Sequence, residues 1–252
     1  MADEAFLKLQ DIAVEFGGFR AVNGLNLDVK RGELRCLIGP NGAGKTTALD
    51  VICGKVKPKA GRMVLKGRDI TKLPDYKIAR AGVGRKFQVP SFFRELTVRD
   101  NLEVAYCKRL GVFANIARFR RSAESDGLEK LAELVGLQDF LDHTAGYLSH
   151  GQTQALEIAL LLAQDSDLIL MDEPTAGMTT AETMHTAKIL NALRGRHTLI
   201  VVEHDMAFVR EISDVITVMH QGKVLAEGHA TDIQSNQSVK DAYLGSGGIS
   251  HA

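Results

Sequence analysis

A glycine-rich run that ends in a lysine and two threonines has the residue types needed to bind phosphate groups. Gly39–Thr47 reads Gly-Pro-Asn-Gly-Ala-Gly-Lys-Thr-Thr and fits the phosphate-loop pattern G-x-x-x-x-G-K-[ST]. Its glycines allow a tight turn, so successive backbone N–H groups can converge on phosphate oxygens. The Lys45 ammonium can reach the β- and γ-phosphates, and the Thr46 hydroxyl can ligate Mg²⁺. We therefore expect a nucleoside triphosphate to contact Gly39, Pro40, Asn41, Gly42, Ala43, Gly44, Lys45, Thr46 and Thr47.

The segments on either side of this run are those that the pattern requires. Leu34–Ile38 predicts a short buried strand that leads directly into the loop. Thr46–Cys53 predicts the first turns of a helix, which ends at Gly54. The N-terminus of that helix adds partial positive charge where the phosphates would lie. A strand–turn–helix without a ligand is the alternative, and these flanking segments favour the phosphate site.

Two carboxylates follow a second apolar strand. Leu168–Met171 leads directly into Asp172 and Glu173. An unpaired carboxylate at the end of a buried strand is costly, and a Mg²⁺ ion beside the phosphate loop would explain Asp172. Glu173 is then placed to orient the attacking water or to accept its proton. Two unrelated surface acids are the alternative, which the phosphate loop in the same chain disfavours.

Two further groups lie where a strand ends and where a helix begins. His204 follows the apolar run His197–Val202, at the edge where parallel sheets bind their ligands. Ser149 and Gln152 fit a capping box ahead of a helix predicted from about Thr153 to Gln164. Such a cap leaves N–H groups at the helix start that can meet a phosphate.

The elements ahead of the phosphate loop predict a small antiparallel layer beside the main sheet. Leu7–Phe16 is mostly alternating in polarity up to Gly17 and Gly18, and Leu25–Val29 alternates in the same way. Phe16 stands at the end of the first strand, where an aromatic ring could stack on an adenine. Its position alone favours a core or edge aromatic.

The middle of the chain predicts helices in place of strands. Apolar residues have helical spacing over Val98–Leu110, and a second helix begins at Ser122 and ends at Gly136. We therefore expect a single domain over residues 1–252, in which an α/β core formed by 1–89 and 166–252 carries an inserted all-helical subdomain at 90–165.

Composition narrows the classes of function. The 31 basic and 31 acidic residues of the 252-residue chain cancel, which argues against a dedicated nucleic-acid surface. No apolar run approaches the ~20 residues of a membrane helix, and the N-terminus has acids where a signal peptide has basic residues. Three well-separated cysteines form neither a disulfide framework nor a metal-ligand spacing. We expect a cytosolic protein with reduced thiols.

Taken in order, these motifs resemble the ATP-binding subunit of an ABC transporter, and the resemblance covers essentially the whole chain. The signature, LSGGQ in the family, is the most specific of them. Gly39–Thr47 matches Walker A, Gln88 matches the Q-loop, and Leu148–Gln152 matches the signature. Leu168–Glu173 matches Walker B, and His204 matches the switch histidine. The implied fold is an α/β P-loop NTPase (ABC ATPase) core with an antiparallel β layer and an inserted all-helical subdomain.

The resemblance also implies roles for individual residues. Phe16 falls where the family places the aromatic residue that stacks on adenine. Mg²⁺ would be held by Thr46, Gln88 and Asp172. ATP hydrolysis would depend on Lys45, Glu173 and His204. The ATP site of the opposite subunit would be completed by Ser149, Gly151 and Gln152.

Two departures from the family's pattern point to one of its branches. His150 stands where the signature has a glycine, and Ala176–Thr179, the D-loop, lacks the usual aspartate. With Val202–Met206 and Ala242–Gly245, these features resemble the importer ATPases for branched-chain amino acids and urea. The signature and the D-loop favour the urea or short-amide members.

The resemblance implies partners and a location as well. Membrane permease subunits would carry the cargo, a substrate-binding protein would act indirectly, and a second ATPase subunit would pair with this chain, with a heterodimer favoured over a homodimer. The chain would be cytoplasmic, peripheral on the inner face of the cell membrane, and would bind no nucleic acid. The alternative is a soluble ABC-type ATPase outside transport, which tends to have two cassettes or a long coiled-coil insertion. A phosphate-loop kinase or GTPase would leave Leu148–Gln152 unexplained.

Overall fold

The computed structural model describes residues 5–86, 92–107 and 123–244. Its strands are β1 (Leu7–Phe16), β2 (Phe19–Val29), β3 (Leu34–Ile38), β4 (Ala60–Leu65), β5 (Arg68–Asp69), β6 (Val83–Arg85), β7 (Leu168–Asp172), β8 (Thr198–Val202), β9 (Val215–His220) and β10 (Lys223–Gly228). Its helices are α1 (Lys45–Ile52), α2 (Asp75–Arg80), α3 (Val98–Cys107), α4 (Ala123–Leu134), α5 (His150–Ala163), α6 (Thr180–Leu193), α7 (Met206–Ile212), α8 (Ala230–Ser235) and α9 (Gln237–Leu244).

The smaller sheet is the predicted antiparallel layer. Its strand order is β2-β1-β4-β5, and Leu7 of the central strand β1 pairs with Val29 on one side and Leu65 on the other. Strand β2 begins well before the predicted start at Leu25, because Gly17 and Gly18 adopt positive φ and form a hairpin turn after β1. The apolar positions of β1 and β2 point to one buried face, as their alternation indicates.

The larger sheet positions the candidate site. Its strand order is β10-β9-β3-β8-β7-β6, with parallel pairing from β9 through β6 and an antiparallel edge at β10. Strands β3, β7 and β8 are buried along their whole length, which explains their continuous apolar runs. Parallel pairing brings the carboxyl ends of these three strands to one edge of the sheet. The phosphate loop, the Walker B acids and His204 all follow those ends.

Two hydrophobic cores cover the two faces of this sheet. Alternate residues of β7 show the division, since Leu168 and Leu170 join one core while Ile169 and Met171 join the other. The first core also contains α1 and the antiparallel layer. The second contains apolar residues of α3, α4, α5 and α6. The sheet is therefore held rigidly between two packed layers, which fixes the positions of its strand ends.

The described chain between β6 and β7 is helical, as predicted. Residues 92–107 and 123–165 contain α3, α4, α5 and two short 3₁₀ turns, with only a single β-bridge between Thr97 and Thr144. Helix α5 begins at His150, earlier than the expected start at about Thr153, because the Ser149 cap sets the first turn directly behind it. The last residues of the predicted Val98–Leu110 helix, 108–110, lie outside the described residues. The boundaries of the subdomain at 90–165 stay a prediction.

Within the described residues, no helix combines the length and the apolar character that crossing a bilayer requires. Cys36 and Cys53 are free thiols. Burial raises the pKa of the Cys36 thiol well above its usual value, which makes that group inert.

Candidate nucleotide site

The phosphate loop joins β3 to α1 through glycines that no other residue could replace. Gly39 and Gly44 have φ values of 147° and 98°. A Cβ atom on Gly39 would lie 2.1 Å from the carbonyl oxygen of Met219, and one on Gly44 would lie 2.4 Å from that of Ala21. The loop backbone is therefore pressed between β9 and β2, and this packing fixes its turn ahead of the N-terminus of α1.

Lys45 folds back over this loop. Its Nζ atom donates hydrogen bonds to the carbonyl oxygens of Gly39 at 2.7 Å and Pro40 at 3.1 Å. Burial lowers the pKa of Lys45, while the charges of Glu173 and Asp172 oppose that shift. The ammonium group thus lies at the mouth of the loop, facing the two acids that follow β7.

Asp172 occupies the end of β7 with incomplete hydrogen bonding. Its Oδ1 atom lies 3.5 Å from Thr46 Oγ1. Its Oδ2 atom is buried, has no hydrogen-bond partner among the described residues, and lies 3.7 Å from Arg85 Nη2. Burial raises the pKa of Asp172, and Thr46 and Arg85 act against that rise. A buried carboxylate beside a hydroxyl is the donor set that a small divalent cation prefers.

Arg85 is a residue of the site that sequence reasoning did not identify. Its side chain, at the end of β6, is only 7% exposed, and its Nη1 atom forms an ion pair with Asp50 of α1 and lies 3.3 Å from Cys53 Sγ. With Asp172 on its other side, it joins α1 to the end of β7. A charged residue at the end of a short buried strand was the available signal, because such a charge needs a partner.

Glu173 and His204 face each other at the sheet edge. Glu173 Oε1 and His204 Nδ1 are 3.7 Å apart, and the two side chains are 49% and 68% exposed, respectively. Glu173 adopts a φ of 48°, which turns the chain away from β7 and leaves its carboxylate open to water. The structure therefore brings Lys45, Asp172, Glu173 and His204 to one place, as their positions after strands predicted.

Glu203 is a second residue that the sequence did not assign to the site. Its buried carboxylate accepts hydrogen bonds from Thr175 N at 3.1 Å and Thr175 Oγ1 at 2.7 Å. Its other oxygen accepts one from His204 N at 3.1 Å. Glu203 thus ties the loop after β7, at Thr175, to the chain after β8, at His204.

The signature residues form the predicted capping box but lie in a different cleft. Gln152 N donates to Ser149 Oγ at 3.3 Å, and Ser149 N donates to Gln152 Oε1 at 2.8 Å. Ser149, Gly151 and Gln152 line a cleft of 220 Å³ with residues 135–137, which follow α4, and with residues of α6. Within the described chain, this cleft includes no residue of the phosphate loop. The signature turn of the described chain therefore lies apart from the phosphate loop, and its role at a nucleotide stays a prediction.

Phe16 is exposed at the hairpin between β1 and β2. It is 50% exposed and pairs across the hairpin with Phe19, which is 65% exposed and which sequence reasoning passed over. Gly222, in the turn after β9, links the phosphate loop to β2, because its N–H donates to Ala43 O at 3.0 Å and its carbonyl oxygen accepts from Asn23 N at 2.9 Å. Phe16 is thus not a core residue, and its stacking role stays a prediction. Gln88 lies outside the described residues, so its role stays a prediction too.

Several known proteins are similar to this chain over nearly its whole length. The family model described as ABC transporter matches residues 22–176. The chain is 39% identical to the high-affinity branched-chain amino acid transport ATP-binding protein LivG of Salmonella typhimurium, covering 96% of this chain and 98% of LivG. It is 41% identical to BraF of Pseudomonas aeruginosa, which has the same description, with 95% and 97% covered. The crystal structure of the ADP conformation of MJ1267, an ATP-binding cassette of an ABC transporter, matches with a TM-score of 0.83 and 29% identity, covering 96% and 99% of the two chains.

Proposed function

The chain belongs to the ABC transporter family, and we propose that it powers an importer for branched-chain amino acids, urea or short amides. It binds ATP, and its ATP hydrolysis is coupled to transport. The observation that carries the proposal is that Asp172, at the end of β7, lies 3.5 Å from Thr46 of the phosphate loop, with Glu173 next to it in the chain and 3.7 Å from His204. The names of LivG and BraF support amino acids as cargo. The sequences at 148–152 and 176–179 favour urea or short amides.

Binding of the triphosphate would begin with an exchange of hydrogen bonds at Lys45. Its ammonium donates to two neutral carbonyl oxygens of its own loop. Phosphate oxygens carry negative charge, so the ammonium would gain an ionic attraction that the neutral carbonyl oxygens do not offer. The loop N–H groups and the N-terminus of α1 would add to this attraction. Phe16 would stack on the adenine at the neighbouring hairpin.

The acids after β7 fit a magnesium ion beside the phosphates. Asp172 offers a buried oxygen that lacks a hydrogen-bond partner within the described chain, and the Thr46 hydroxyl adjoins its other oxygen. We assign Thr46, Asp172 and Gln88 to Mg²⁺, which takes few protein ligands when phosphates and waters complete its shell. When bound, Mg²⁺ would neutralise phosphate charge during transfer of the γ-phosphoryl group to water.

Glu173 and His204 would act at the γ-phosphate. Glu173 is open to solvent at the strand end, so it can orient the attacking water and accept its proton. His204, 3.7 Å from it, would contact the γ-phosphate. Glu203 holds the backbones of both segments, so the two side chains act from a fixed frame.

A second ATPase subunit would complete the site. Ser149, Gly151 and Gln152 lie in a cleft apart from the phosphate loop of their own chain, which suits a role at the nucleotide of an opposite subunit. ATP would then favour the closed pair because it binds that state better than the open one. We favour a different second subunit over a second copy, with a substrate-binding protein acting indirectly on the outside.

The chain would work in the cytoplasm, attached to permease subunits on the inner face of the cell membrane. A soluble ABC-type ATPase outside transport is disfavoured, because relatives that match over nearly the whole chain are transport subunits. A tagged copy purified from detergent-solubilised membranes tests the assignment. Membrane permeases and one further ATPase should co-purify, identified by mass. Recovery of cytoplasmic proteins alone would contradict it.

A further inference from the structure

The backbone N–H group of Gly151 donates a hydrogen bond to a carboxylate of the same chain. Gly151 N donates to Glu182 Oε1 at 3.0 Å, across a separation of 31 residues. Glu182 lies in the first turn of α6. A Cβ atom on Gly151 would come within 2.7 Å of Glu182 Cγ, so the glutamate side chain lies directly against this residue. Under the proposed function, this N–H belongs to the helix end that receives the γ-phosphate of the opposite subunit.

The other oxygen of Glu182 anchors the carboxylate at the start of α6. Oε2 accepts hydrogen bonds from Thr179 N at 3.0 Å and Thr179 Oγ1 at 2.9 Å, which form the capping box of that helix. The bonds from Thr179, followed by that from Gly151, hold the pKa of Glu182 below its usual value. Glu182 is therefore a charged acceptor at neutral pH that joins the starts of α5 and α6.

A second contact joins the same two segments. His150 Nε2 lies 3.1 Å from the carbonyl oxygen of Ala176, within hydrogen-bond distance. His150 replaces a glycine of the signature, and Ala176 begins the D-loop that lacks an aspartate. The two departures from the family's pattern therefore contact each other within one subunit. Together with Glu182, they hold the signature turn to the D-loop.

We propose that Glu182 occupies the phosphate position of the signature turn, so that the γ-phosphate of the opposite subunit's nucleotide must displace it from Gly151. Both competitors offer a charged oxygen to the same N–H, and that donor serves one strong acceptor at a time. The His150–Ala176 contact keeps Glu182 close, so the carboxylate returns when the phosphate leaves. This role for Glu182 rests on the proposed function.

Glu182→Gln separates the two duties of the carboxylate. Glutamine is accepted at this position of a capping box, so its single oxygen can still accept from Thr179. It has no second oxygen for Gly151, whose N–H is then released. Asp100→Asn is the matched control, because Asp100 makes the same two bonds to Thr97, at 3.2 and 2.6 Å, at the start of α3.

NMR amide resonances of the ¹⁵N-labelled full chain test directly whether phosphate competes with the Glu182 carboxylate for the Gly151 N–H. Inorganic phosphate is titrated at constant ionic strength, and the Gly151 resonance is followed. In Glu182→Gln this resonance should shift with half-saturation at a phosphate concentration at least about tenfold lower than in the wild type. Asp100→Asn should match the wild type.

Equal responses in the wild type and Glu182→Gln, or no response at Gly151 in Glu182→Gln, would overturn the role of Glu182. The Gly42 resonance separately reports ATP binding at the phosphate loop in the same samples. If ATP does not shift Gly42, the nucleotide site itself has been assigned wrongly. If Gly42 responds and Gly151 does not differ between the proteins, only the role of Glu182 fails.

Discussion

Replacing Phe16 with alanine removes an aromatic face that is half open to solvent at the end of β1. One base–aromatic stack contributes about 1–3 kcal/mol, so the Kd for ATP should rise by about 5- to 150-fold. The cost to the fold should be modest. Truncating a fully buried phenylalanine to alanine lowers the free energy of unfolding by about 3–5 kcal/mol. Phe16 has only half of its surface buried, so the loss of stability should be smaller. The variant should therefore remain folded while losing adenine affinity.

Isothermal titration calorimetry with two ligands isolates the stacking contribution. ATP should bind Phe16→Ala more weakly than the wild type, whereas inorganic triphosphate, which has no base, should bind both proteins equally. Phe19→Ala is the matched control, because Phe19 lies directly across the hairpin and is 65% exposed. It should leave both affinities unchanged. Thermal melts confirm that each variant is folded.

Two results would refute the reasoning. If Phe16→Ala binds ATP as the wild type does, then Phe16 is an edge aromatic without a role at the nucleotide. If Phe19→Ala loses ATP affinity and Phe16→Ala does not, then the hairpin presents the other ring to the base. A loss of triphosphate affinity in Phe16→Ala would instead indicate that the phosphate loop has been disturbed.

Lys45→Ala should abolish productive ATP binding while the protein stays folded, and normal ATP turnover by the folded variant would contradict the role given to this lysine. Glu173→Gln should bind ATP and Mg²⁺, since Asp172 remains, but should hydrolyse very slowly and, when mixed with the co-purified ATPase, accumulate as an ATP-bound dimer in size-exclusion chromatography. Rapid hydrolysis by that variant would move water activation to another residue. The chain alone should dimerise poorly and turn over slowly, whereas adding the co-purified ATPase and permeases should raise turnover. In that complex Ser149→Arg should inactivate the nucleotide site whose Walker motifs belong to the other subunit. A tight ATP-dependent homodimer of the pure chain at full turnover, with only one ATPase species in the transporter, would contradict the two-subunit assignment.

The parts of the site that the sequence predicted are those built from consecutive residues. The phosphate loop shows its strand, turn and helix within Leu34–Ile52, and the cap of α5 needs only Ser149 and Gln152. Patterns of this kind depend on local sterics and hydrogen bonding, so a short window of sequence contains them. The early start of α5 was missed because the apolar periodicity begins inside the first turn, after His150 and Gly151.

The parts that sequence reasoning missed depend on residues far apart in the chain. Arg85 acquires its importance from Asp50 and Asp172, on two other elements. Glu203 bonds Thr175 from the end of another strand, and Glu182 reaches Gly151 from the next helix. A charged residue in the sequence shows only that some partner is needed. The partner's identity comes from strand order and helix packing, which one sequence does not reveal.

Strand β3 has a consequence for how the protein is made. It lies between β8 and β9, so Leu34 pairs with Leu199 and Arg35 with Val215. The phosphate loop also packs against Met219. A chain emerging from the ribosome therefore displays the whole loop motif long before the strands that support it have been synthesised. ATP can protect only a state that binds it, so nucleotide should begin to slow proteolysis of nascent chains only after β9 has left the exit tunnel. Until β8 and β9 have been synthesised, the apolar strand β3 has no pairing partners, so it can aggregate or be bound by chaperones.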